Sequence, residues 1–402
     1  MATLSESVQR IRPGVFAELQ ARIDAHTAKG GTLVPLHIGD THLAPPEAAR
    51  FERAIAGESS DGLYRYGATA GLPELREAFA TRARDVLGIP GVSGAAHVHL
   101  GAGGTHALGC AARAVLDAGD DVLVAAPYWP LSVGIFHACS ARVVEVPFTS
   151  RLATEPGVDA GELLASAITP RTKAIYVTTP NNPDGVVLTR AQLESVARVA
   201  IENDLWVFSD EVYADVAYDA LHAPHVSIAS LPGMAERTIV VQSLSKSHAL
   251  AGARIGAVIA PEPVIAAARR VGVHTVFTVP VAMQRAATLA MSGGDAWMRA
   301  ALVDYRAARD EAAAALVGSN LLFTVGQGST YLFLDFERVL DGRPLSVALE
   351  RGIDHGVLLT PGEAFGRGYE RFARLCFTAV PRPRLAEGCA RLRAALESLA
   401  AR

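Results

Sequence analysis

The chain has 402 residues, of which 50% are hydrophobic and 19% are charged, and its formal net charge is −4 at neutral pH. This length predicts more than one hydrophobic core and therefore two domains, and the composition is typical of a globular protein. The slight negative charge argues against binding to nucleic acid or to an anionic membrane, and no apolar run is long enough to span a bilayer.

The cysteines and the N-terminus favour a protein of a reducing compartment. Four cysteines lie far apart in the chain, at positions 110, 139, 376 and 389. Neither they nor the His and Asp residues have the spacing of a metal site, so we expect core or incidental cysteines and no bound metal. The N-terminus lacks the basic-then-apolar pattern of a secretory signal, and a cytoplasmic location is therefore the default expectation.

The first part of the chain predicts three helices and one short strand. An N-terminal arm leads into an amphipathic helix from about Gly14 to Ala28, and the apolar residues Val34 to Ile38 predict the strand. Two further helices are predicted from Pro46 to Ala56 and from Leu72 to Leu87, with a loop from Tyr64 to Gly71 before the second.

From His97 the pattern changes to alternating strands and helices. Seven short apolar runs predict strands: His97–Leu100, Asp121–Ala125, Arg142–Val146, Ala174–Thr178, Trp206–Ser209, Thr238–Gln242 and Ile255–Ile259. Helices fit between several of them, for example Arg190 to Glu202, which predicts an α/β fold around a mainly parallel sheet. In such sheets ligands bind beyond the carboxyl ends of the strands, and residues with catalytic potential repeatedly follow those ends.

After about Ala290 the pattern is that of a smaller α+β domain. An Ala- and Arg-rich helix is predicted from Asp295 to Leu316, and two more helices from Ser346 to His355 and from about Arg384 onwards. Two strands are predicted in the same region: Tyr331–Phe336 and Phe372–Phe377.

The stretch from Ser243 to Gly256 is chemically the most informative. Lys246 is one of only three lysines in the chain, and it lies between two serines, before a small, apolar, glycine-containing run. A lysine in such weakly charged surroundings can lose its proton near neutral pH, as an imine-forming amine must. The serine hydroxyls and the guanidinium of Arg254 suit an anionic group on the molecule that the lysine bonds. Pyridoxal 5'-phosphate (PLP) meets both requirements, whereas the alternative is an ordinary surface lysine.

Two loops that follow predicted strands carry weaker signals for the same cofactor. Gly103, Gly104 and Thr105 lie between a strand and a helix, where glycines allow close approach and free amides point at an anion. Trp129, just past a strand end, presents a flat ring that can stack on a heteroaromatic cofactor. Each pattern has an alternative, since many such turns are glycine-rich and a tryptophan here also fits a core or an interface.

Polar residues after two further strands complete the set. Asn182, in a turn-forming run, can donate an amide hydrogen to a phenolate oxygen. Asp210 can pair with a protonated pyridine nitrogen and make the ring an electron sink, and Tyr213 can hydrogen-bond the phenolate. The alternatives are plain turn chemistry for Asn182 and a helix-starting acid pair for Asp210 and Glu211.

In their order and spacing these residues resemble the class I/II aminotransferases of PLP fold type I. Asn182 precedes Asp210 by 28 residues, and Asp210 precedes Lys246 by 36. Tyr213 follows Asp210 by three residues, and Arg254 follows Lys246 by eight. Each signal is weak alone, but four in the family's order make coincidence improbable.

The resemblance extends from about Leu33 to Leu399 and implies the architecture of the chain. It implies a large domain with a mainly parallel central sheet flanked by helices, plus a smaller α+β domain. The expected division is 1–47 as the N-terminal arm and part of the small domain, 48–290 as the large PLP-binding α/β domain, and 291–402 as the C-terminal small domain.

The resemblance also implies a role for each matching residue. Lys246 would form the internal aldimine and later carry the proton between the substrate Cα and C4′ of PLP, while Asp210 would pair with the pyridinium nitrogen. The other groups of PLP would be held as follows: the phenolate oxygen by Asn182 and Tyr213, the ring by Trp129, and the phosphate by Gly104, Thr105, Ser243, Ser245 and Arg254. Tyr66 would reach the phosphate of the neighbouring subunit, which implies a homodimer with shared active sites.

For the substrate, Arg374 matches the family's carboxylate-binding arginine and Gly39 the glycine whose backbone contacts the same carboxylate. Because arginines are numerous in this chain, an unrelated arginine is the alternative. Asp184 stands where the family often has threonine. Five histidines near these loops are candidates to contact a distal substrate group, although most such residues are merely satisfied polar side chains: His37, His42, His106, His248 and His274.

The expected function is that of a PLP-dependent aminotransferase that moves an amino group between an L-amino acid and a 2-oxo acid by a ping-pong mechanism. The main alternative is β- or γ-elimination, cyclisation or another Cα reaction, because it uses the same cofactor-binding residues. A non-catalytic ligand-sensing domain normally carries an attached DNA-binding domain, for which a match starting near residue 33 leaves no room. Only one carboxylate-binding arginine is identified, which favours apolar, aromatic or specialised substrates over dicarboxylates.

Overall fold

A computed structural model describes residues 3–12, 19–56, 60–219 and 224–400 of the chain. Its strands are β1 Val34–Pro35, β2 Val98–Ala102, β3 Asp121–Ala126, β4 Arg142–Pro147, β5 Thr172–Thr178, β6 Trp206–Asp210, β7 Thr238–Ser243, β8 Ile255–Ile259, β9 Tyr331–Asp335, β10 Val357–Leu358, β11 Thr360–Pro361 and β12 Phe372–Cys376.

Helices connect most of these strands. They are α1 Glu6–Gln9, α2 Gln20–Ala28, α3 Phe51–Ala54, α4 Ser60–Tyr64, α5 Pro73–Asp85, α6 Gly103–Val115, α7 Pro130–Ala138, α8 Thr149–Thr154, α9 Ala160–Ala165, α10 Arg190–Glu202, α11 Leu244–Ser247, α12 Glu262–Val273, α13 Val281–Gly293, α14 Asp295–Leu316, α15 Glu337–Leu340, α16 Leu345–Asp354 and α17 Arg382–Ala400. Short 3-10 turns occur at Glu47–Ala49, Ala95–His97, Ile228–Ser230, Ala251–Ala253 and Gly362–Phe365.

A seven-stranded sheet forms the centre of the molecule, in the order β2-β8-β7-β6-β5-β3-β4. Strands β3 to β7 pair in parallel, whereas β8 runs antiparallel to both of its neighbours. The predicted mainly parallel sheet is therefore confirmed. All seven predicted strands are present, with ends that lie within two residues of the predicted ends.

Both faces of the sheet are covered, which explains why its strands are nearly continuous apolar runs. Along β3, Val122 and Val124 pack into a core with α6, α7 and α12, while Leu123 between them packs into a second core with α9 and α10. The same alternation occurs on β5, where Tyr176 faces the first core and Ile175 the second. Side chains at strand ends are then the ones left to face a ligand.

A separate core, away from the seven-stranded sheet, lies around a three-stranded antiparallel sheet in the order β11-β12-β9. Helices α14, α16 and α17 pack on it, and the buried residues Val34 and Leu36 from near the N-terminus belong to the same core. Strand β1 pairs in parallel with β10, with Val34 opposite Val357. The segment around Gly39 is thus held against the C-terminal part of the chain.

Three sequence predictions near the N-terminus were wrong or only partly confirmed. The predicted helix from Pro46 to Ala56 is a 3-10 turn followed by the short helix α3, because Arg50 between them has an extended backbone. The predicted strand from Val34 to Ile38 ends at Pro35, which has no amide hydrogen for a ladder. The helix predicted over residues 14–28 is present as α2, and residues 14–18 lie outside the described residues.

None of the helices in the described ranges combines the length and the apolar character that crossing a membrane requires.

Candidate active site

A cavity of about 290 Å³ opens at the carboxyl ends of β3, β5, β6 and β7. Twelve of the thirteen residues predicted for the site line it: Gly39, Gly104, Thr105, Trp129, Asn182, Asp210, Tyr213, Ser243, Ser245, Lys246, Arg254 and Arg374. They come from segments that are distant in sequence but meet at this edge of the sheet. This is the position at which parallel sheets bind ligands.

Lys246 lies on the single turn of helix α11, directly after β7. The turn is held by Ser243, whose Oγ accepts from the Ser245 amide at 3.2 Å and donates to Ser245 Oγ at 2.9 Å. The Lys246 amine donates a hydrogen bond to the carbonyl oxygen of Gly39. The lysine therefore bridges the large sheet and the N-terminal segment across the cavity.

The backbone at the start of α6 approaches its neighbours too closely for side chains. Gly103 has a left-handed φ of +79°, and a Cβ there would lie 2.5 Å from Nη2 of Arg254. Gly256 on β8 passes close to the same turn, since a Cβ on it would lie 2.3 Å from the Gly104 amide nitrogen. Free amides at a helix start, the hydroxyls of Ser243 and Ser245 and an exposed guanidinium together suit a phosphate.

Asp210 is the last residue of β6 and is buried. Tyr176 on the adjacent strand β5 donates its hydroxyl to Asp210 Oδ2 at 2.8 Å, and the Val212 amide donates to Oδ1 at 3.3 Å. Burial raises the pKa of Asp210 to about 6, against which the Tyr176 hydrogen bond lowers it. A buried carboxylate of this kind is stabilised by a cationic partner such as a protonated ring nitrogen.

Arg374 on β12 is buried and makes three hydrogen bonds. Its Nη1 donates to Asn182 Oδ1 at 2.9 Å, and its Nη2 donates to the His37 carbonyl at 2.9 Å and to Thr360 Oγ1 at 3.3 Å. A guanidinium has five N–H donors, so one on Nη1 and the one on Nε have no acceptor among the described residues. Since Asn182 accepts with its oxygen, its NH₂ group is left for a ligand.

Tyr331 also lines the cavity, although its place in the sequence did not indicate this. It begins β9, is buried, and its hydroxyl lies 2.5 Å from that of Tyr213. The guanidinium of Arg374 lies over its ring, 4.2 Å from the ring centroid. The sequence predicted a strand here but carried no signal for which of its side chains faces the cavity.

Trp129 and Thr178 line the cavity on the side of β3 and β5. Trp129 precedes Pro130 at the first position of α7, a place where proline is pre-organised for a helix. Thr178 is paired in register with Asp210 on β6, and its Oγ1 is buried with no hydrogen-bond partner among the described residues. An unpartnered hydroxyl of this kind is expected where a ligand is to complete the site.

Tyr66 does not line the cavity. It is 86% exposed, and its ring contacts Phe277 edge to face at 5.0 Å between centroids. Tyr64 is 87% exposed in the same segment. The predicted contact between Tyr66 and the phosphate of a neighbouring subunit stays a prediction.

The five candidate histidines do not line the cavity. Several of them instead make structural hydrogen bonds, for example His42 Nδ1 with the Thr378 carbonyl at 3.2 Å and His106 Nε2 with Thr275 Oγ1 at 2.8 Å.

Asp184 stabilises the turn that carries Asn182, because it accepts from Asn181 Nδ2 at 2.9 Å and from Thr149 Oγ1 at 2.5 Å. Its carboxylate thus supports the loop.

Across the described ranges, no three or more His, Cys, Asp or Glu side chains are grouped so as to hold a metal ion. The donor set fits PLP instead. An amine, a buried carboxylate, a Gly-rich helix start and an unpartnered threonine hydroxyl correspond to the aldehyde, ring nitrogen, phosphate and polar edge of that cofactor.

Comparisons with known proteins agree with this chemistry. Residues 32–392 match the family model for aminotransferases of class I and II. An arginine–pyruvate transaminase of Pseudomonas aeruginosa is 34% identical, with 96% of each chain covered. An aspartate/prephenate aminotransferase of Thermus thermophilus is 32% identical, with 91% of this chain and 92% of the relative covered.

Solved structures give the same result. A mutant of the Thermus thermophilus aspartate aminotransferase superposes with a TM-score of 0.89 at 30% identity, covering 98% of this chain and 100% of that one. The N-succinyldiaminopimelate aminotransferase of Mycobacterium tuberculosis superposes with a TM-score of 0.86 at 28% identity, with coverages of 98% and 100%. The chain therefore belongs to the class I and II aminotransferases and is a PLP-dependent transaminase of fold type I.

Proposed function

We propose that transamination takes place in this cavity, with Lys246 as the residue that holds PLP and moves the proton. The observation that supports this most strongly is the convergence of an amine, a buried carboxylate and a buried guanidinium on one cavity: Lys246, Asp210 and Arg374. When bound, PLP supplies the aldehyde that bonds to the Lys246 amine and the ring that takes up the electrons of the substrate's Cα–H bond.

Lys246 serves twice in this proposal. Its amine would hold the aldehyde end of PLP in the cavity when no substrate is bound. With an L-amino acid bound in its place, the same amine would take the proton from the substrate Cα and hold it for return to the reacting molecule. Release of one 2-oxo acid before a second binds makes the mechanism ping-pong.

The other cavity residues bind and orient. Asp210, held by Tyr176, would keep the ring nitrogen protonated, while the NH₂ group of Asn182 and the hydroxyl of Tyr213 would donate to the phenolate oxygen. Trp129 stacks on the ring. The phosphate is held by backbone amides, hydroxyls and a guanidinium: Gly104, Thr105, Ser243, Ser245 and Arg254.

Arg374 is the proposed clamp for the substrate's α-carboxylate. Burial and three fixed hydrogen bonds hold the guanidinium rigid, and the second N–H of Nη1 is left for a carboxylate. The backbone of Gly39 is proposed to contact the same carboxylate. Because Gly39 also accepts from Lys246, this pose would bring the substrate Cα close to the amine that removes its proton.

The charges in the cavity favour a donor with an uncharged side chain. Among the described residues, the cations that line it are Lys246, Arg254 and Arg374, and the acid is Asp210, so each of these charges already has a role. Leu131 lines the cavity and is 56% exposed. We therefore propose apolar or aromatic amino acids as donors in preference to dicarboxylates.

The exposed aromatic residues support a homodimer. Tyr64, Tyr66 and Phe277 are large side chains that solvent reaches in the single chain, and Val276 beside them is 39% exposed. Clustered exposed apolar groups mark interaction sites. We propose that a second copy of the chain covers these side chains and that Tyr66 reaches the phosphate of the PLP bound to that copy. Sedimentation equilibrium at micromolar concentration tests the dimer, and a monomer would contradict it.

Two further proposals concern the domain division and the cellular location of the protein. Residues 1–47 and 291–402 form the small domain, which the shared core of Val34 and Leu36 with the C-terminal helices supports, and 48–290 form the large domain. A cytoplasmic location is proposed from the spaced, unpaired cysteines.

The role of Lys246 is tested by reductive trapping. Borohydride reduction of the PLP-loaded enzyme should attach the cofactor to the peptide that contains Lys246, as identified by mass spectrometry. Lys29 and Lys173 are the other two lysines, so Lys173→Ala should leave the labelling unchanged and Lys246→Ala should abolish it. Label on Lys29 or Lys173 in the wild-type enzyme would overturn the proposal.

A further inference from the structure

Tyr331 connects three residues of the proposed active site. Its hydroxyl lies 2.5 Å from the hydroxyl of Tyr213, and its ring lies beneath the guanidinium of Arg374 at 4.2 Å. Its hydroxyl also explains why residue 39 is a glycine, since a Cβ there would lie 2.2 Å from that oxygen. Tyr331 is 2% exposed, so these contacts hold it in one position.

We propose that Tyr331 is a positioning residue: its hydroxyl donates to Tyr213 and turns the Tyr213 proton towards the cofactor, while its ring supports Arg374. The proposal rests on the roles proposed above for Tyr213 and Arg374. It gives one side chain a part in both cofactor binding and substrate binding.

The direction of the hydrogen bond follows from counting protons. Each phenol has one proton, and only one proton can lie between the two oxygens. If Tyr213 donated to Tyr331, no Tyr213 proton would remain for an anionic oxygen in the cavity. If Tyr331 donates, Tyr213 keeps its proton for the ligand, and two cooperative hydrogen bonds form in series.

The surroundings keep the Tyr213 proton in place. Besides Tyr331, the charged or titratable neighbours that act on Tyr213 are Arg374 and Cys376, both on β12. Burial raises the pKa of Tyr213 well above its usual value, so its hydroxyl remains a donor at physiological pH. The guanidinium of Arg374 lies over two rings, that of Tyr331 at 4.2 Å and that of Phe365 at 5.1 Å.

Two substitutions separate the two parts of the role. Tyr331→Phe removes the hydroxyl but keeps the ring under Arg374, whereas Tyr331→Leu removes both. Tyr218→Phe is the matched control, because Tyr218 is buried, donates to the Ser329 carbonyl at 2.6 Å and lies under Arg309 at 4.8 Å, outside the cavity lining.

The first readout is the pH midpoint of the absorbance change of the bound cofactor. With a weaker donor on the phenolate oxygen, that oxygen is more negative and the adjacent imine nitrogen holds its proton more tightly. The midpoint should therefore rise by about one pH unit in Tyr331→Phe. Tyr218→Phe should leave it unchanged.

The second readout is the KM for the amino donor. Tyr331→Phe should keep the KM within about twofold, while Tyr331→Leu should raise it roughly threefold to tenfold through the lost contact with the guanidinium. An unshifted midpoint in Tyr331→Phe overturns the inference, whatever Tyr331→Leu does. If Tyr213→Phe also fails to move the midpoint, the proposed role of Tyr213 fails; if it does move it, only the inference about Tyr331 fails.

Discussion

Replacing Tyr176 by phenylalanine tests the electrostatic role proposed for Asp210. Tyr176 donates to Asp210 Oδ2 at 2.8 Å, and both residues are buried. Burial raises the pKa of Asp210 to about 6, while this hydrogen bond opposes the rise. A hydrogen bond to a charged group contributes about 1.5–3 kcal/mol, so its loss should raise the Asp210 pKa by roughly one to two units.

The direction of the effect on PLP binding follows from the charge. A protonated Asp210 cannot pair with a protonated ring nitrogen, so PLP binding by the apoenzyme weakens as the pH falls through the pKa of Asp210. In Tyr176→Phe the weakening should begin roughly one to two pH units higher. At pH 7 the variant should bind PLP about twofold to tenfold more weakly than the wild-type enzyme.

The assay is a titration of the apoenzyme with PLP, followed by absorbance at several pH values. Tyr128→Phe is the matched control, because it removes a buried tyrosine hydroxyl 3.0 Å from the Glu145 carboxylate, outside the cavity lining. A variant whose PLP affinity has the pH dependence of the wild-type enzyme would refute the reasoning, as would a shift to lower pH.

Three further predictions concern single side chains. Arg374→Ala should lower kcat/KM for every amino acid alike, and selective damage to one donor would exclude Arg374 as the α-carboxylate clamp. The main effect of Gly103→Ala should be weaker PLP binding, with a lower melting temperature as the smaller effect, because the new Cβ would lie 2.5 Å from Arg254 Nη2 and residue 103 has a φ of +79°. Equilibrium dialysis measures the PLP affinity, and thermal unfolding measures the melting temperature. Asp210→Asn should stabilise the apoenzyme at pH 7 by about 1–3 kcal/mol. Burial raises the pKa of Asp210 in the folded state to about 6, so the folded protein loses stability as the pH rises from the usual pKa of an aspartate to about 6, and asparagine removes this loss. Urea unfolding of both apoenzymes measures this, and a less stable Asp210→Asn apoenzyme would contradict it.

The central sheet could be predicted from sequence because its strands depend on local composition. Runs such as residues 121–126 and 172–178 are apolar on both faces, and the turn residues that follow end them clearly. The helix expected from Pro46 to Ala56 was wrong because Arg50 takes an extended conformation, which tertiary packing decides. The sequence predicted β1, although too long, but neither β10 nor the pairing of the two strands, because each has only two residues.

In the cavity, residues with an unusual local context were predictable and residues defined by orientation were not. Lys246 and Asp210 stand out by their neighbours in the chain, and both line the cavity. Tyr176 and Tyr331 lie within ordinary apolar strands, and only the register of β5 against β6 and the way β9 faces the cavity bring their hydroxyls to Asp210 and Tyr213. Sequence alternation alone does not say which face of a doubly covered strand meets a ligand.

The most direct test of the proposed mechanism is a half-reaction without acceptor. The PLP form of the enzyme is mixed with single amino acids, among them leucine, phenylalanine, aspartate and arginine, while the cofactor spectrum and the product masses are followed. We predict that the wild-type enzyme forms stoichiometric pyridoxamine phosphate and a 2-oxo acid, fastest with leucine or phenylalanine. Lys246→Ala should not form them at a rate comparable to that of the wild-type enzyme. Fastest reaction with aspartate would contradict the proposed donor class alone, whereas catalytic release of ammonia, pyruvate or a cyclised product with the cofactor still an aldehyde would contradict transamination itself.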